Sequence, residues 1–362
     1  MGSLCDWPEP VICVQSLSES GDLVIPDQYV KPPLERPILC FNNVNIPVID
    51  LAGLVTSREA IMKQISKACR EWGFFQLVNH GVRTVLVDRV PEIWREFFHE
   101  PMEVKQKYAN SPKTYEGFGS RLGVEKGAIL DWNDYYYLNY LPHCHTKWPS
   151  QPPSLREVME EYSSEILRLG AVLLKIFSIN LGLEEDYLQN AFGGRDIEAC
   201  LRANFYPKCP QPDLTLGLSS HSDPGGMTFL LPDKQVCGLQ IRKNDQWITV
   251  KPTRHAIIIN IGDQLQVKFP LDPKPLNCQF VLSNAIYKSV EHRVVVNPDK
   301  ERVSLAYFYN PKNDLLIQPI PELVTSKTPA LYPSMTFDEY RRFIRTRGPH
   351  GKVQVDSLKP PR

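Results

Sequence analysis

Residues 201–228 read LRANFYPKCPQPDLTLGLSSHSDPGGMT, and from Leu201 onward the chain changes character. RANFY, MTFLL (227–231), LQIR (239–242), WITV (247–250), AIIINIG (256–262) and VSLAYFY (303–309) are short and rich in β-branched or aromatic residues, with turn signals between them. Lys243, Asn244 and Asp245 make a hairpin turn before Gln246. Short strands in such succession predict a sandwich or jelly roll, an architecture that can hold a ligand between its two sheets.

The same stretch carries a His-x-Asp pair, His221 and Asp223, and far downstream come His292, Arg302 and Ser304. Side chains at i and i+2 of an extended segment point the same way, so His221 and Asp223 can reach one metal. Arg302 and Ser304 obey the same rule. Two imidazoles and one carboxylate can cover one face of an Fe(II) ion and leave other positions open for substrate and O2. An Arg fork beside a hydroxyl is a receptor for a carboxylate. His-x-Asp alone is a weak signal, whereas the ordered set of five is much rarer. Arg202, Asn204 and Tyr206 alternate, which places them on one face of one strand.

Upstream, residues 1–45 are Pro-rich and aperiodic, an irregular arm with one short helix, and NIPVID at 45–50 is a strand. Thr56 with Glu59 forms a capping box that opens a helix, Ile61, Ile65, Ala68, Cys69 and Trp72 bury one face of it, and Gly73 ends it. FFQLVN at 74–79 is a strand; Leu86, Val90, Ile93, Trp94 and Phe97 then mark a helix with Pro91 as a kink or break. Residues 115–142 mix Gly with aromatics and predict an irregular segment and hairpin over the mouth of the site. Ser154 with Glu157 caps a long helix closed by Gly182, and Thr336 with Glu339 caps a C-terminal helix ended by Gly348.

The totals exclude several classes. Lys+Arg and Asp+Glu both count 41 in 362 residues, so no excess charge points to nucleic acid or an anionic membrane. Nine cysteines without a Cys-x-x-Cys predict reduced thiols and a cytoplasmic protein rather than a disulfide framework or zinc site. No signal peptide, myristoylation pattern or membrane-spanning run is visible.

The set His-x-Asp, distant His, Arg-x-Ser closely resembles the signature of the 2-oxoglutarate and Fe(II)-dependent dioxygenases, and CREWGFFQLVNHGV (69–82) resembles the N-terminal signature of the plant members. His80, within that stretch, sits at a strand-to-helix turn and is not read as a ligand. The resemblance implies an α+β fold: a double-stranded β-helix (jelly-roll) core with a helical N-terminal region and a C-terminal helix. The expected division is an N-terminal region 1–150, a jelly-roll domain 151–350 and a loose tail 351–362. It implies Fe(II) on His221, Asp223 and His292, and 2-oxoglutarate reaching Arg302 and Ser304, with Asn204 and Tyr206 lining that site. O2 is consumed, ascorbate serves as reductant, and succinate and CO2 leave. Arg202 would then point into the same cavity roughly 7 Å beyond Asn204. Phe343 and Arg347, four apart on the C-terminal helix, would add an apolar wall and a second cation. Such cations ask for a small carboxylic acid.

The resemblance extends further. SRLGVEKGAILDW, HSDPGGMTFLLPD, GDQLQV, NAIYKSVEHRVVVN, KERVSLAYFYNPK and FIRTRGPHGK look like jasmonate-induced oxygenases, also called jasmonic acid oxidases. This implies hydroxylation of jasmonic acid on its pentenyl side chain to 12-hydroxyjasmonic acid, by a monomer with no nucleic-acid or membrane partner. The alternatives are a flavonoid dioxygenase of the anthocyanidin synthase or flavonol synthase type, which shares the fold and iron site, and a silent binding protein. The intact set of five favours an enzyme.

One segment departs from the family. Between GDQLQV and LSNAIYKSVEH the family usually runs straight on, whereas here KFPLDPKPLNCQFV, 268–281, intervenes. Three prolines cannot continue a central strand. The strand AIIINIG is expected to run on through DQLQV. The insertion, a surface loop or a splice or gene-model error, then either bulges to solvent so that the triad closes, or breaks the strand and misplaces His292.

Overall fold

The computed structural model describes residues 7, 9, 11–37, 44–142, 147–266, 287–317 and 335–348, except the side chain of Arg347. The insertion 268–281 and the tail 351–362 lie outside the described residues. An arm carrying α1 (Val14–Glu19) leads to β1 (Val48–Asp50), α2 (Gly53–Thr56), α3 (Arg58–Glu71), β2 (Phe74–Val78), α4 (Thr84–Phe98) and α5 (Met102–Gln106). Next come β3 (Gly117–Gly119), β4 (Asp134–Leu141), α6 (Leu155–Asn180) and α7 (Tyr187–Ala191). The strand-rich part holds β5 (Glu198–Tyr206), β6 (Leu218–His221), β7 (Met227–Leu231), β8 (Leu239–Lys243), β9 (Gln246–Thr249) and β10 (Ile257–Ile261). It closes with α8 (Asp263–Gln266), β11 (His292–Val294), β12 (Arg302–Asn310), β13 (Leu316–Ile317), β14 (Met335–Thr336) and α9 (Phe337–Arg347).

Two sheets face each other. The major one runs β1-β2-β10-β7-β12-β5-β4-β3 and the minor one β6-β11-β8-β9, as a jelly-roll core requires. The N-terminal region is part of this core, because β2 pairs antiparallel with β10. Strand alternation gives the major sheet two characters. Leu201, Ala203 and Phe205, with Val303, Leu305, Tyr307, Phe229 and Ile259, pack against Ile65, Val90, Trp94, Ile166 and Leu173 of the helices. The intervening residues, Arg202, Asn204, Tyr206, Arg302 and Ser304, face the minor sheet and the cavity between. Burial of the first set holds the second in place, at roughly 25 cal/mol for each Å² of apolar surface removed from water.

The arm closes one end of this sandwich. Val14, Ile25 and Tyr29 pack with Trp132, Tyr206, Leu218 and Val294. Buried Asp134 accepts the backbone N–H groups of Val14 and Gln15 at 2.9 and 2.8 Å, and Lys31 pairs with Asp131 at 2.9 Å.

Several local expectations are corrected. Thr56 ends α2 rather than opening a helix, and α3 begins after Ser57 with no side-chain cap. At Ser154 the helix starts as expected but the box is open. Ser154 sits at φ −85°, ψ 0°, inside a turn closed by Leu155 N–H to Pro152 O, so its hydroxyl cannot fold back as an extended N-cap does. Only Thr336, extended at φ −74°, ψ 159°, forms both bonds with Glu339 among the three boxes. Gly73 does end α3, at φ +63°, a left-handed conformation that suits glycine. α4 passes through Pro91 unbroken, held by the buried face of Val87, Val90, Ile93 and Trp94. Residues 115–142 do contain the expected antiparallel pairing, β3 with β4, but 134–141 is not irregular: it is a strand of the major sheet that also pairs with β5, with a register shift between Asn139 and Leu141. DQLQ, 263–266, does not extend its strand: β10 stops at Ile261 and Asp263–Gln266 is a helical turn, Val267 lying outside the described residues. There the N–H groups of Asp263 and Gln264 bond to the carbonyls of Asp223 and Gly225 instead of a sheet ladder.

Candidate active site

β6 and β11 pair so that His221 stands opposite His292, with ring centroids 4.2 Å apart. Each Nε2 lies 3.7 Å from Asp223 Oδ1, and the three ligand atoms lie within 4.8 Å of one another. Each Nδ1 donates to a carbonyl, His221 to Ser219 at 2.8 Å and His292 to Val290 at 3.1 Å. That fixes the tautomer with the Nε2 lone pair turned inward. The other carboxylate oxygen, Asp223 Oδ2, accepts from Thr228 Oγ1 at 2.5 Å and Asn260 Nδ2 at 2.6 Å, so Oδ1 alone faces the cluster. Burial, then the neighbouring His292, pushes His221 down to about 4, which keeps it neutral near pH 7. Burial pushes Asp223 up, but the two imidazoles and the Thr228 and Asn260 bonds outweigh it and keep the carboxylate ionised. Two imidazoles whose Nε2 atoms face one carboxylate oxygen, all three oriented by outer partners, fit Fe(II) with open positions. His80 does none of this: its Nε2 donates to His255 O at 3.0 Å and its Nδ1 accepts the Val82 N–H.

Beside the triad lies an inner cavity lined by Asn204, Tyr206, Arg302, Ser304 and Arg202 together with His221, Asp223 and His292. Register explains the gathering, since Arg302 stands opposite Tyr206 and Ser304 opposite Asn204. Arg302 is 3% exposed. It donates to Ser304 Oγ at 3.3 Å and lies over the Tyr206 ring, while its Nε has no partner. Among the described residues no carboxylate lies within ion-pair distance of it. A buried guanidinium left in this state is matched by a bidentate anion.

Arg202 forms the wall between this cavity and a second, outer one, which also reaches His221 and Asp223. Arg202 lies over the Tyr135 ring, centroid to Cζ 4.2 Å, donates to Asn133 Oδ1 at 3.4 Å and leaves Nε without a partner. Its burial lowers its proton affinity. The far wall belongs to α9: Phe337, Arg341, Ile344 and Arg345. Arg345 lies over Tyr137 and Tyr115, at 4.7 and 5.5 Å, with no carboxylate within ion-pair distance among the described residues. Arg341 is already paired, with Asp338 at 3.1 Å and Glu198 at 3.6 Å. The outer cavity therefore holds two uncompensated cations on an aromatic rail, Tyr135 and Tyr137 of β4.

Residues 46–155 match the family described as non-haem dioxygenase in morphine synthesis N-terminal, and residues 197–311 match the 2OG-Fe(II) oxygenase superfamily. Jasmonate-induced oxygenase 2 of Arabidopsis thaliana is 58% identical, the alignment covering 100% of this chain and 96% of that protein. The chain belongs to the jasmonate-induced oxygenase family. A crystal structure of JOX2 in complex with 2OG, Fe and JA superimposes with a TM-score of 0.87 at 59% identity, covering 99% of this chain and 100% of that one. Flavanone 3-dioxygenase 2 of Oryza sativa subsp. japonica is more distant, 40% identical over 92% of this chain and 94% of its own.

For a jasmonate-induced oxygenase, the strand residues read from the sequence, His221, Asp223, His292, Arg302, Ser304, Asn204, Tyr206 and Arg202, come together around one space. The two helix residues do not both join them. Phe343 is half-buried and does not line the outer cavity, and the Arg347 side chain lies outside the described residues. The cavity instead receives Arg341, Ile344 and Arg345. The signal that finds these is the buried pair Phe337 and Tyr340, which with Ile344 sets the inward face at helical spacing. Tyr135 and Tyr137 were legible as alternate residues of DYYYLNYL. Thr228 and Asn260 carried no signal, because their role depends on strands β7 and β10 lying side by side.

Proposed function

We propose that this chain hydroxylates jasmonic acid to 12-hydroxyjasmonic acid, using Fe(II) and 2-oxoglutarate. His221, Asp223 and His292 hold the iron, and Arg302 with Ser304 holds the far carboxylate of 2-oxoglutarate between Asn204 and Tyr206. When bound, iron, 2-oxoglutarate and O2 supply the oxidising power that turns an unactivated C–H into C–OH, with succinate and CO2 leaving. The chain's own contribution is binding and orientation. Arg202 and Arg345 take the carboxylate of the substrate, while Leu218, Phe308, Phe337 and Ile344 exclude water around its hydrocarbon part. Anchoring the acid at a fixed distance from the triad selects which carbon of the side chain is presented.

The observation that carries this reading is the pair of uncompensated guanidiniums, Arg202 and Arg345, in a cavity that opens onto the triad. A neutral flavonoid would leave both unpaired, which argues against the flavonoid alternative. The test is incubation with Fe(II), ascorbate and 2-oxoglutarate, offering jasmonic acid, its methyl ester and a flavonoid, with mass spectrometry for the gain of one oxygen. The acid is expected to be converted and the ester to be a poor substrate. Equal turnover of acid and ester sinks the carboxylate reading, and faster turnover of the flavonoid replaces it.

A further inference from the structure

We infer that Asp263 is a positioning residue that couples substrate recognition by α9 to the geometry of the iron triad; this rests on the substrate reading above. Asp263 is buried at the start of α8, and its carboxylate accepts hydroxyls from three separate elements. Ser222, between His221 and Asp223, donates to Oδ2 at 3.1 Å, and Tyr340 of α9 donates to the same oxygen at 3.0 Å. Ser289, in the segment leading to His292, donates to Oδ1 at 2.7 Å. The Asp263 N–H bonds to the Asp223 carbonyl at 2.8 Å. One residue thus touches both branches of the metal site and the helix that carries Arg341 and Arg345.

The surrounding backbone is built to keep Asp263 there. The N–H groups of Gly262 and Gln264 bond to Gly226 and Gly225 carbonyls at 2.7 and 3.0 Å, and the Gln264 amide bonds to Pro224 O at 3.1 Å. A Cβ on Gly262 would lie 2.2 Å from the Gly225 carbonyl oxygen, so only glycine permits this approach. On the other side the Gln266 side chain accepts the Ser289 N–H at 2.6 Å. α8 is therefore clamped to the loop bearing Asp223 and to the approach to His292, while Tyr340 is its link to α9. Tyr340 is buried and adjoins Arg341 in sequence, so its hydroxyl sets where the following turn of arginines stands.

The arrangement makes a divided prediction. Tyr340→Phe removes only the α9 link: the KM for jasmonic acid is expected to rise about three- to tenfold, while Mn(II) affinity, read by titration in place of iron, stays within about twofold. Misplaced substrate also raises the ratio of succinate to hydroxylated product. Ser289→Ala removes only a metal-side link and is expected to weaken Mn(II) without the rise in jasmonic acid KM. Asp263→Asn is expected to do both, with Mn(II) affinity falling about tenfold or more, as loss of an outer partner of a metal ligand does. Because Tyr340 acts through Asp263, the double variant should show no further rise in KM over Asp263→Asn alone. A parent-like KM in Tyr340→Phe, or additive effects in the double variant, overturns the coupling; so does Asp263→Asn that shifts only the melting temperature. Should Asp263→Asn not fold, Tyr340→Phe and Ser289→Ala decide the matter between them. If the parent enzyme does not turn over jasmonic acid, the substrate reading fails by itself, and the Mn(II) titrations still judge the metal side.

Discussion

The inner and outer cavities share Arg202, His221 and Asp223, yet they are built from different material. The inner one is made of paired strands, where Arg302 and Ser304 stand opposite Tyr206 and Asn204 in a ladder buried on both faces. The outer one has a strand for one wall and α9 for the other, and α9 is anchored by a few contacts such as Tyr340 to Asp263 and Tyr115 to the Arg345 carbonyl. A ladder sets positions to within a hydrogen bond at every second residue. A single helix resting on a sandwich sets only which of its faces is turned inward. The inner site suits the cosubstrate and metal, which need fixed geometry, and the outer site is where specificity for a particular acid can be altered.

Variants break or sharpen this contrast. Asp223→Ala strikes the part common to both cavities, leaving two ligands where three are needed, and is expected to remove stoichiometric iron and all activity. Iron content by metal analysis and turnover by mass spectrometry are the measurements; full activity would falsify the iron assignment. Arg302→Lys strikes the inner cavity alone. A lysine cannot reproduce the planar fork, so the apparent affinity for 2-oxoglutarate should fall by about ten- to a hundredfold with iron content retained. An unchanged affinity would make Arg302 structural. Arg202→Ala and Arg345→Ala strike the outer cavity, and each should cost about tenfold in apparent affinity for jasmonic acid. In the methyl ester, already lacking the charge, the same substitutions should change little. The smallest effect belongs to Phe343→Ala, which lies off the inward face of α9 and is expected to leave the jasmonic acid KM within about twofold. A larger rise would mean that α9 turns its other face to the substrate.

The strand part of the site was legible because a strand has a period of two. His221 with Asp223, Arg302 with Ser304, and Arg202 with Asn204 and Tyr206 each declare a shared face once the segment is read as extended. The helix part was legible only in type. FDEYRRFIRTR has Phe343 and Ile344 side by side and four arginines, so two faces one residue apart both look amphipathic. The choice between them came from burial of Phe337 and Tyr340. Capping boxes taught the same lesson: of the three Ser/Thr-x-x-Glu patterns read as helix caps, at Thr56, Ser154 and Thr336, only the one whose cap residue is extended closes.

By itself the sequence determined the inventory: a jelly-roll core, the donor types for an iron site, an arginine and hydroxyl for one carboxylate, and the family signature. These follow from residue chemistry and from the local period of the backbone, which operate over a few residues. Only the tertiary structure decided which strands lie side by side, and so that His292 meets His221, that Thr228 and Asn260 turn Asp223, and that DQLQ coils into a turn rather than extending a strand. It likewise decided which face α9 presents. Those outcomes depend on the burial of residues far apart in the chain and on where buried N–H and C=O groups find partners, and no local pattern carries that information.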